Sequence, residues 1–221
     1  MDQDQVLKNT RRFVKQTLQN AEGGHDWFHI QRVVKNASQI ASGEDVDRFI
    51  VELGALLHDI ADSKFHNGDE TVGPTIARRF LENQQVPGDI INHVVKIIEN
   101  ISFKGGNIEQ EFTSPELEVI QDADRLDALG AIGIARTFNY GGHKGRPLYD
   151  PAIKPNLNMS KEEYKASTAP TVNHFYEKLF LLKDRMNTQT GRKIAERRHQ
   201  FMELFLEEFY NEWGLNPDEE V

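Results

Sequence analysis

The chain has 221 residues, of which 38% are hydrophobic and 28% are charged, and its formal net charge is −9. This length and this ordinary globular composition predict one folded domain with a substantial core rather than a disordered chain. The negative charge argues against duplex nucleic acid as a partner, because it repels a polyanion at long range. The chain contains no cysteine, which excludes disulfides, thiolate catalysis and thiolate metal ligands. Any metal site must therefore be built from histidine, aspartate and glutamate side chains.

The chain begins without a basic segment followed by an apolar one, and no later stretch approaches the apolar length of a membrane-spanning helix. We therefore expect a cytoplasmic protein with no membrane partner. The sequence pattern leaves the oligomeric state open.

The predicted elements are all helices, because apolar residues recur at three- and four-residue spacing and no alternating strand pattern of useful length occurs. In chain order they cover about residues 6–18, 25–42, 45–62, 70–85, 89–101, 114–138, 171–186 and 192–213. From 139 to about 169 the chain has no sustained period, so we expect a long irregular loop there, which in compact domains is usually functional or disordered. The predicted fold class is all-α.

Two of these helices have distinctive side-chain patterns. The third, at about 45–62, has an almost wholly apolar face and is expected to lie at the centre of the fold. The helix at about 114–138 has a run of small residues, which allows another helix or a ligand to approach its backbone closely. These small residues are Ala128, Gly130, Ala131, Gly133 and Ala135.

Two His-Asp dipeptides occur, His25-Asp26 and His58-Asp59, and one such pair is expected by chance in a chain rich in both residues. His58-Asp59 lies within an apolar stretch, 53–62, where a buried carboxylate is costly unless it is paired or bound to a metal. The alternative interpretation is a hydrogen-bonded core histidine followed by a surface aspartate at a helix end.

Further candidate ligands lie in two other helices. Asp122, Asp124 and Asp127 introduce three carboxylates into one helix, where Asp124 and Asp127 share a face at i, i+3. An exposed acidic helical face is the alternative explanation. His29 lies among aromatic and aliphatic neighbours, where it is either a ligand or a core histidine.

Taken together, these segments resemble the HD-domain superfamily of metal-dependent phosphohydrolases. The resemblance is carried by His29 with Arg32-Val33, by His58-Asp59 in LLHDIADSKF, by Asp124 in QDADRLDALGAIGIARTF, and by HFYEKL at 174–179. The chain is most similar to small stand-alone bacterial members, one group of which is described as nucleotide pyrophosphohydrolases. The resemblance spans about residues 20–215 and implies a single HD-domain helical bundle over 1–221, with the loop at about 139–169 and two C-terminal helices at about 171–213.

The resemblance implies that the metal ligands are His29, His58, Asp59 and Asp124. Such a mixed nitrogen and oxygen set suits Mn, Fe, Co, Ni or Mg, and we expect one divalent ion, with Mn²⁺ or Mg²⁺ preferred. Many dinuclear members of the superfamily have extra histidine ligands near the position that Ile101 occupies here. Isoleucine cannot bind a metal, and His93 lies about two turns earlier, so we expect a mononuclear site.

The resemblance also implies hydrolysis of nucleoside triphosphates, or their deoxy forms, to a monophosphate and pyrophosphate by attack of metal-bound hydroxide. The spacing of the residues does not distinguish this reaction from that of a 5′-nucleotidase or a phosphodiesterase. A regulatory metal-binding module without turnover is a third alternative. An oxygenase with two irons is disfavoured by the missing helix histidines.

Candidates for proton transfer and phosphate binding follow from their spacing around the ligands. Asp62 is four residues after His58 and is the candidate general acid or base, with an exposed helix-end carboxylate as the alternative. Lys64 is a catalytic and phosphate-binding candidate, and a solvated loop lysine is its alternative.

Four more residues are candidates for contacts to the phosphates of a nucleotide. Arg125 and Arg136 carry guanidinium groups suited to phosphate oxygens, although Arg125 could instead pair with Asp122. His174 and Lys178 share a helical face at i, i+4, where an ordinary amphipathic helix is the competing explanation.

Overall fold

The computed structural model of the protein describes residues 1–19, 21, 25–61, 69–101, 112–160, 163 and 166–214. Within these ranges the chain forms helices and no strand, which confirms the predicted all-α class. None of the helices described there combines the length and the hydropathy needed to cross a membrane.

The helices, numbered here in chain order, are α1 (Gln3–Thr17), α2 (Trp27–Ala41), α3 (Arg48–Leu57), α4 (Val72–Asn83), α5 (Gly88–Asn100), α6 (Pro115–Asp127), α7 (Gly130–His143) and α8 (Gln189–Trp213). A π-helical turn (Phe175–Leu179) and a 3₁₀ segment (Phe180–Arg185) precede α8. The chain divides into two compact units, Met1–Asp124 and Arg125–Val221, with the boundary inside α6.

In the first unit α3 contacts α1, α2 and α5, while α4 contacts α5. Eight of the ten residues of α3 are buried, so the predicted central position of this helix is confirmed. Gly54 allows α6 to approach α3 closely, because a Cβ at this position would lie 2.5 Å from Cδ1 of Ile120. Asn36 of α2 donates a hydrogen bond to the carbonyl of Ala123 (3.1 Å), which ties α2 to α6.

Several helices begin at a side chain that accepts hydrogen bonds from the unpaired N–H groups of the first turn. Asp26 does so for α2, Asp47 for α3 and Thr188 for α8. The cap at Asp26 matters for the site below, because the N–H that it binds is that of His29, at a distance of 2.8 Å.

The prediction of a single helix at about 114–138 is wrong, because the structure divides this stretch into α6 and α7. Leu129 is extended, with φ −115° and ψ 156°, and Gly130 has φ +73°, a conformation that side chains with a Cβ rarely adopt. A Cβ at Gly130 would also lie 3.1 Å from Cγ of Arg198 in α8. Gly130 therefore allows the chain to break between two helices, and it does not lie in a closely packed helix interior.

Other predicted bounds also differ from the structure. The helix predicted to reach 62 ends at Leu57, and α7 extends to His143, into the region expected to be irregular. The helix predicted at about 171–186 contains the π-helical turn and the 3₁₀ segment instead of a regular α-helix. Periodicity of apolar residues over so short a stretch does not distinguish these forms from an α-helix, because each differs from it by less than one residue per turn.

The core of the second unit is aromatic. Phe138 of α7 packs against Phe175, Phe205 and Phe209, with ring centroids 5.9–6.3 Å apart. Such edge-on and tilted arrangements are favourable for aromatic rings, so this cluster holds the π-helical turn between α7 and α8.

Candidate metal centre

His29 and His58 reach the candidate site from the start of α2 and the end of α3. Both side chains are buried, with 3% and 8% of the residue exposed. The Asp26 cap fixes the first turn of α2 and with it the backbone of His29. His58 is the residue at which α3 ends.

The orientation of the His58 ring is set by its own helix. Its Nδ1 lies 2.9 Å from the carbonyl oxygen of Ala55. A carbonyl oxygen can only accept a hydrogen bond, so Nδ1 carries the proton in this contact and the neutral ring has its lone pair on Nε2. That nitrogen faces Nε2 of His29 at 3.4 Å.

Two carboxylates join the histidine pair. His29, His58 and Asp59 each contribute one potential ligand atom, and these three atoms lie within 4.8 Å of one another. From α6, Oδ1 of Asp124 lies 3.5 Å from Nε2 of His29 and 4.0 Å from Nε2 of His58. All four residues belong to the first unit, and the structure brings together the four that were predicted as metal ligands.

The spacing and chemistry of this group fit a divalent cation. Ligand atoms that share an ion at about 2.1 Å lie about 3 to 4 Å apart, depending on whether their positions are adjacent or opposite. The distances among His29, His58 and Asp124 fall in this range. Two imidazoles and two carboxylates also supply the mixed nitrogen and oxygen ligands that Mn²⁺, Fe²⁺ and related ions accept.

His25 is a member of the site that the sequence interpretation missed. Its Nδ1 lies 2.5 Å from Oδ2 of Asp59, with the His25 side chain 41% exposed and that of Asp59 16% exposed. Burial raises the pKa of Asp59, but the hydrogen bond from His25 and the charges of His58, His25 and His29 outweigh this effect, so the pKa is lowered overall. The sequence did offer a signal for His25, namely the His-Asp dipeptide that it forms with Asp26. Asp26 caps the helix that carries His29, which places His25 next to the site.

Other candidates in the first unit are placed elsewhere or lie outside the described residues. Asp62 and Lys64 belong to the latter group, so their roles stay predictions. His93 contacts the hydroxyl of Ser114 (2.9 Å) and a carboxylate oxygen of Glu116 (3.4 Å).

In the second unit, the two arginines proposed for phosphate binding have partners within the protein. Arg125 donates to the carbonyl of Arg185 at 2.8 Å. Arg136 forms an ion pair with Asp127, whose side chain is only 2% exposed. This pairing provides the compensation that a buried carboxylate requires.

His174 and Lys178 lie together in a cationic part of the second unit. Burial lowers the pKa of His174 to about 4, with further contributions from the positive charges of Lys178 and Arg146. Arg146 was not singled out from the sequence, although it lies in the glycine-rich segment after α7 that was expected to be functional. A bound anion would favour the protonated form of His174 and so counteract the effect of the neighbouring positive charges.

Comparison with known proteins places this geometry in a family. Residues 27–129 match the model of the HD domain. The chain is 44% identical to an HD-superfamily hydrolase from Bacillus thuringiensis of known crystal structure, with a TM-score of 0.79 over 97% of this chain and 100% of the other. The chain belongs to the HD-domain superfamily of metal-dependent phosphohydrolases.

Bacillus subtilis YpgQ, an uncharacterized protein, is a second relative. Sequence alignment gives 39% identity over 199 residues, which are 89% of this chain and 88% of YpgQ. Superposition on the crystal structure of YpgQ in complex with ADP gives a TM-score of 0.74, with 32% identity over 99% of this chain and 98% of the other. The HD domain of this chain contains all four residues predicted as metal ligands, as well as the His58-Asp59 dipeptide for which such domains are named.

Proposed function

We propose that this phosphohydrolase cleaves nucleoside triphosphates, or their deoxy forms, to a nucleoside monophosphate and pyrophosphate. The observation that carries the proposal is the approach of His29, His58, Asp59 and Asp124 in a buried site whose His58 lone pair faces the other ligands. We assign these four residues as the ligands of one divalent ion, with Mn²⁺ or Mg²⁺ preferred and Co²⁺, Ni²⁺ or Fe²⁺ as substitutes.

The chain itself holds the ligands in position. The Ala55 carbonyl keeps the His58 ring in the tautomer that leaves Nε2 unprotonated, and the hydrogen bond with His25 orients the Asp59 carboxylate and helps to lower its pKa. Partners of this kind fix ligand orientation and commonly strengthen metal binding. When bound, a divalent ion lowers the pKa of a coordinated water and polarises phosphoryl oxygens.

The reaction forms a bond between a water oxygen and the α-phosphorus and breaks the bond from that phosphorus to the bridging oxygen, so pyrophosphate leaves with the developing negative charge. We assign Asp62 to accept the proton of the attacking water, and Lys64 to neutralise charge on the phosphates. His174 and Lys178 are proposed to bind phosphate oxygens, with Arg146 as an additional cation. The partners of Arg125 and Arg136 within the protein make these two weaker candidates for the same role.

A nucleotide as the substrate class is supported by the crystal structure of YpgQ with ADP, because that protein aligns with this chain over nearly its whole length. ADP contains the adenine and the first two phosphates that are also present in the triphosphate ATP. Attack at the α-phosphorus is identified by the release of pyrophosphate together with a monophosphate.

The test is a panel of nucleoside mono-, di- and triphosphates and cyclic nucleotides, incubated with chelator-treated protein to which Mn²⁺ or Mg²⁺ is added back. We expect pyrophosphate and a monophosphate from triphosphates, and no turnover in excess chelator, because catalysis needs the ion. Orthophosphate from monophosphates would identify a 5′-nucleotidase instead, and ring opening of a cyclic nucleotide a phosphodiesterase. Metal binding without turnover of any of these compounds would favour a regulatory module.

The stoichiometry of metal is tested separately. We expect one tightly bound ion per chain, measured by elemental analysis after dialysis against Mn²⁺. Two ions per chain would contradict the argument from Ile101 and would require ligands beyond the four assigned here.

A further inference from the structure

The turn after α7 brings two cationic side chains to one exposed tyrosine. Tyr140 lies in the last turn of α7, and 53% of the residue is exposed. The ammonium nitrogen of Lys144 lies 5.7 Å from the centroid of the Tyr140 ring, and the guanidinium carbon of Arg146 lies 5.6 Å from it. At such distances a cation is attracted to the face of an aromatic ring. An accessible aromatic surface and positive charge therefore occur together at the end of this helix.

The backbone of this turn fixes the arrangement. The N–H of Arg146 donates to the carbonyl of Gly141 at 2.9 Å. The N–H of Gly145 donates to the carbonyl of Gly142 at 3.1 Å, and the two bonds together form a Schellman C-cap. Gly145 has φ +66°, the left-handed conformation that this cap requires. The chain therefore turns back on the helix, which places the residues on both sides of Gly145 next to Tyr140.

Arg146 also belongs to the cationic part of the second unit. Two backbone hydrogen bonds, of 2.9 and 3.0 Å, join the two residues that follow Arg146 to a segment shortly before His174. The guanidinium of Arg146 donates to the carbonyl of Ser167, which fixes its position. Its charge is one of the causes, after burial and the charge of Lys178, that lower the pKa of His174. Arg146 is thus a neighbour of both the Tyr140 ring and the His174 imidazole.

We propose that Tyr140 binds the base of the nucleotide by stacking, beside Lys144 and Arg146, which bind the phosphates. This inference rests on the function proposed above, in which His174 and Lys178 also contact phosphate oxygens. A nucleotide carries its base and its phosphates on one ribose, so a surface for the base must lie close to the cations that bind the phosphates. Tyr140 meets this requirement, and more than half of the residue is accessible to a ligand.

A stacking surface predicts a particular kind of specificity. Every base has a π-face, so an aromatic ring recognises the presence of a base more than its identity. A purine covers more of the ring than a pyrimidine does, and purine nucleotides are therefore expected to bind somewhat more tightly. A phosphate chain without a base is expected to gain no affinity from Tyr140.

The test compares a ligand that has a base with one that lacks it. ADP and inorganic pyrophosphate are titrated by calorimetry, with Mg²⁺ present, into the full chain of the parent, Tyr140→Leu and Tyr140→Phe. Tyr140→Leu is expected to bind ADP about tenfold more weakly, within the range typical of losing one base–aromatic stack, and to bind pyrophosphate like the parent. Tyr140→Phe keeps the ring and is expected to bind both ligands like the parent.

Arg146→Ala separates the role of the ring from that of the cation. Both ligands carry phosphates, so this variant is expected to bind ADP and pyrophosphate more weakly, unlike Tyr140→Leu. Thermal unfolding of each variant checks that the fold is retained. The binding measurement needs no turnover, so it succeeds or fails independently of the product assay that tests the proposed reaction.

Tyr140→Trp adds a spectroscopic signature of stacking. ADP is expected to quench the fluorescence of the indole at this position and pyrophosphate is not, with the parent as the baseline for Trp27 and Trp213. Equal ADP affinities for the parent and Tyr140→Leu would overturn the proposal. So would an equal loss of ADP and pyrophosphate affinity in Tyr140→Leu, which would show that Tyr140 acts only by positioning Arg146.

Discussion

Nε2 of His29 and Nε2 of His58 lie 3.4 Å apart, although the two residues are separated by 29 positions in the sequence. Both rings are buried, and the contact of His58 Nδ1 with Ala55 directs the lone pair of His58 toward His29. Two imidazole nitrogens at this separation can share a cation, and the carboxylate of Asp124 lies within 4.0 Å of both. The first unit thus brings the ends of two helices and the side of a third to one point.

Loss of His25 should weaken metal binding without unfolding the protein. His25→Ala removes the hydrogen bond that orients the Asp59 carboxylate and helps to lower its pKa, and loss of such supporting partners typically lowers metal affinity by about 10- to 100-fold. Isothermal titration with Mn²⁺ measures the affinity, and thermal unfolding of the metal-free protein checks the fold. The control is His143→Ala, at an exposed histidine at the end of α7. Equal Mn²⁺ affinities for the parent and His25→Ala would show that Asp59 needs no such partner.

Protonation of His174 should destabilise the second unit as the pH falls. Burial, with Lys178 and Arg146, lowers the pKa of His174 from 6.5 to about 4, so the unfolded chain takes up this proton first. The contribution to stability is complete above pH 6.5 and is lost as the pH falls toward 4, to a limit of about 3 kcal/mol. Urea unfolding at pH 7 and pH 4.5 measures the loss. It should be smaller for His174→Gln than for the parent, and parallel losses in the two proteins would contradict the assignment.

Two glycines of α7 should respond in opposite directions to the same substitution. A Cβ at Gly133 would lie 2.2 Å from the carbonyl oxygen of Ala128, and this backbone atom cannot move aside easily. Gly133→Ala is therefore expected to destabilise the protein by about 1–3 kcal/mol. Gly142 has no atom within 4 Å of such a Cβ, so Gly142→Ala is expected to stabilise the helix by up to about 1 kcal/mol. Urea unfolding of both variants makes the comparison, and similar effects of the two substitutions would show that the close approach at Gly133 is absent.

The sequence predicted the helices of the first unit well because their apolar faces are regular. The central position of α3 followed from its apolar residues, and α4 and α5 lie within three residues of their predicted bounds. The break between α6 and α7 was missed because Gly130 lies in a run of small residues that suggests close packing of one helix. Only its positive φ reveals the break, and composition alone does not encode that angle.

The four proposed ligands could be predicted from the sequence for two reasons. His29, His58 and Asp59 are polar residues in apolar surroundings, and the order of all four resembles that of a known family. His25 was missed although its own His-Asp dipeptide stands in the sequence, since its contact depends on where the segment before α2 meets Asp59. The pairing of Arg136 with Asp127 was likewise missed, because it crosses the turn that separates α6 from α7. In both cases the contact depends on a change of chain direction, which periodicity does not reveal.

His29, His58, Asp59 and Asp124 are proposed to hold one divalent ion. Asp124 is the best position for a direct test, because its side chain is 44% exposed and can be truncated with little effect on packing. Glu118, an exposed carboxylate on the same helix, provides the matched control.

The measurement is the Mn²⁺ affinity of chelator-treated protein, followed by electron paramagnetic resonance of the free ion. Asp124→Ala is expected to bind Mn²⁺ at least tenfold more weakly than the parent and to lose turnover, whereas Glu118→Ala is expected to match the parent in both. Parent-like Mn²⁺ affinity in Asp124→Ala would contradict the assignment of Asp124 as a ligand and with it the four-residue site.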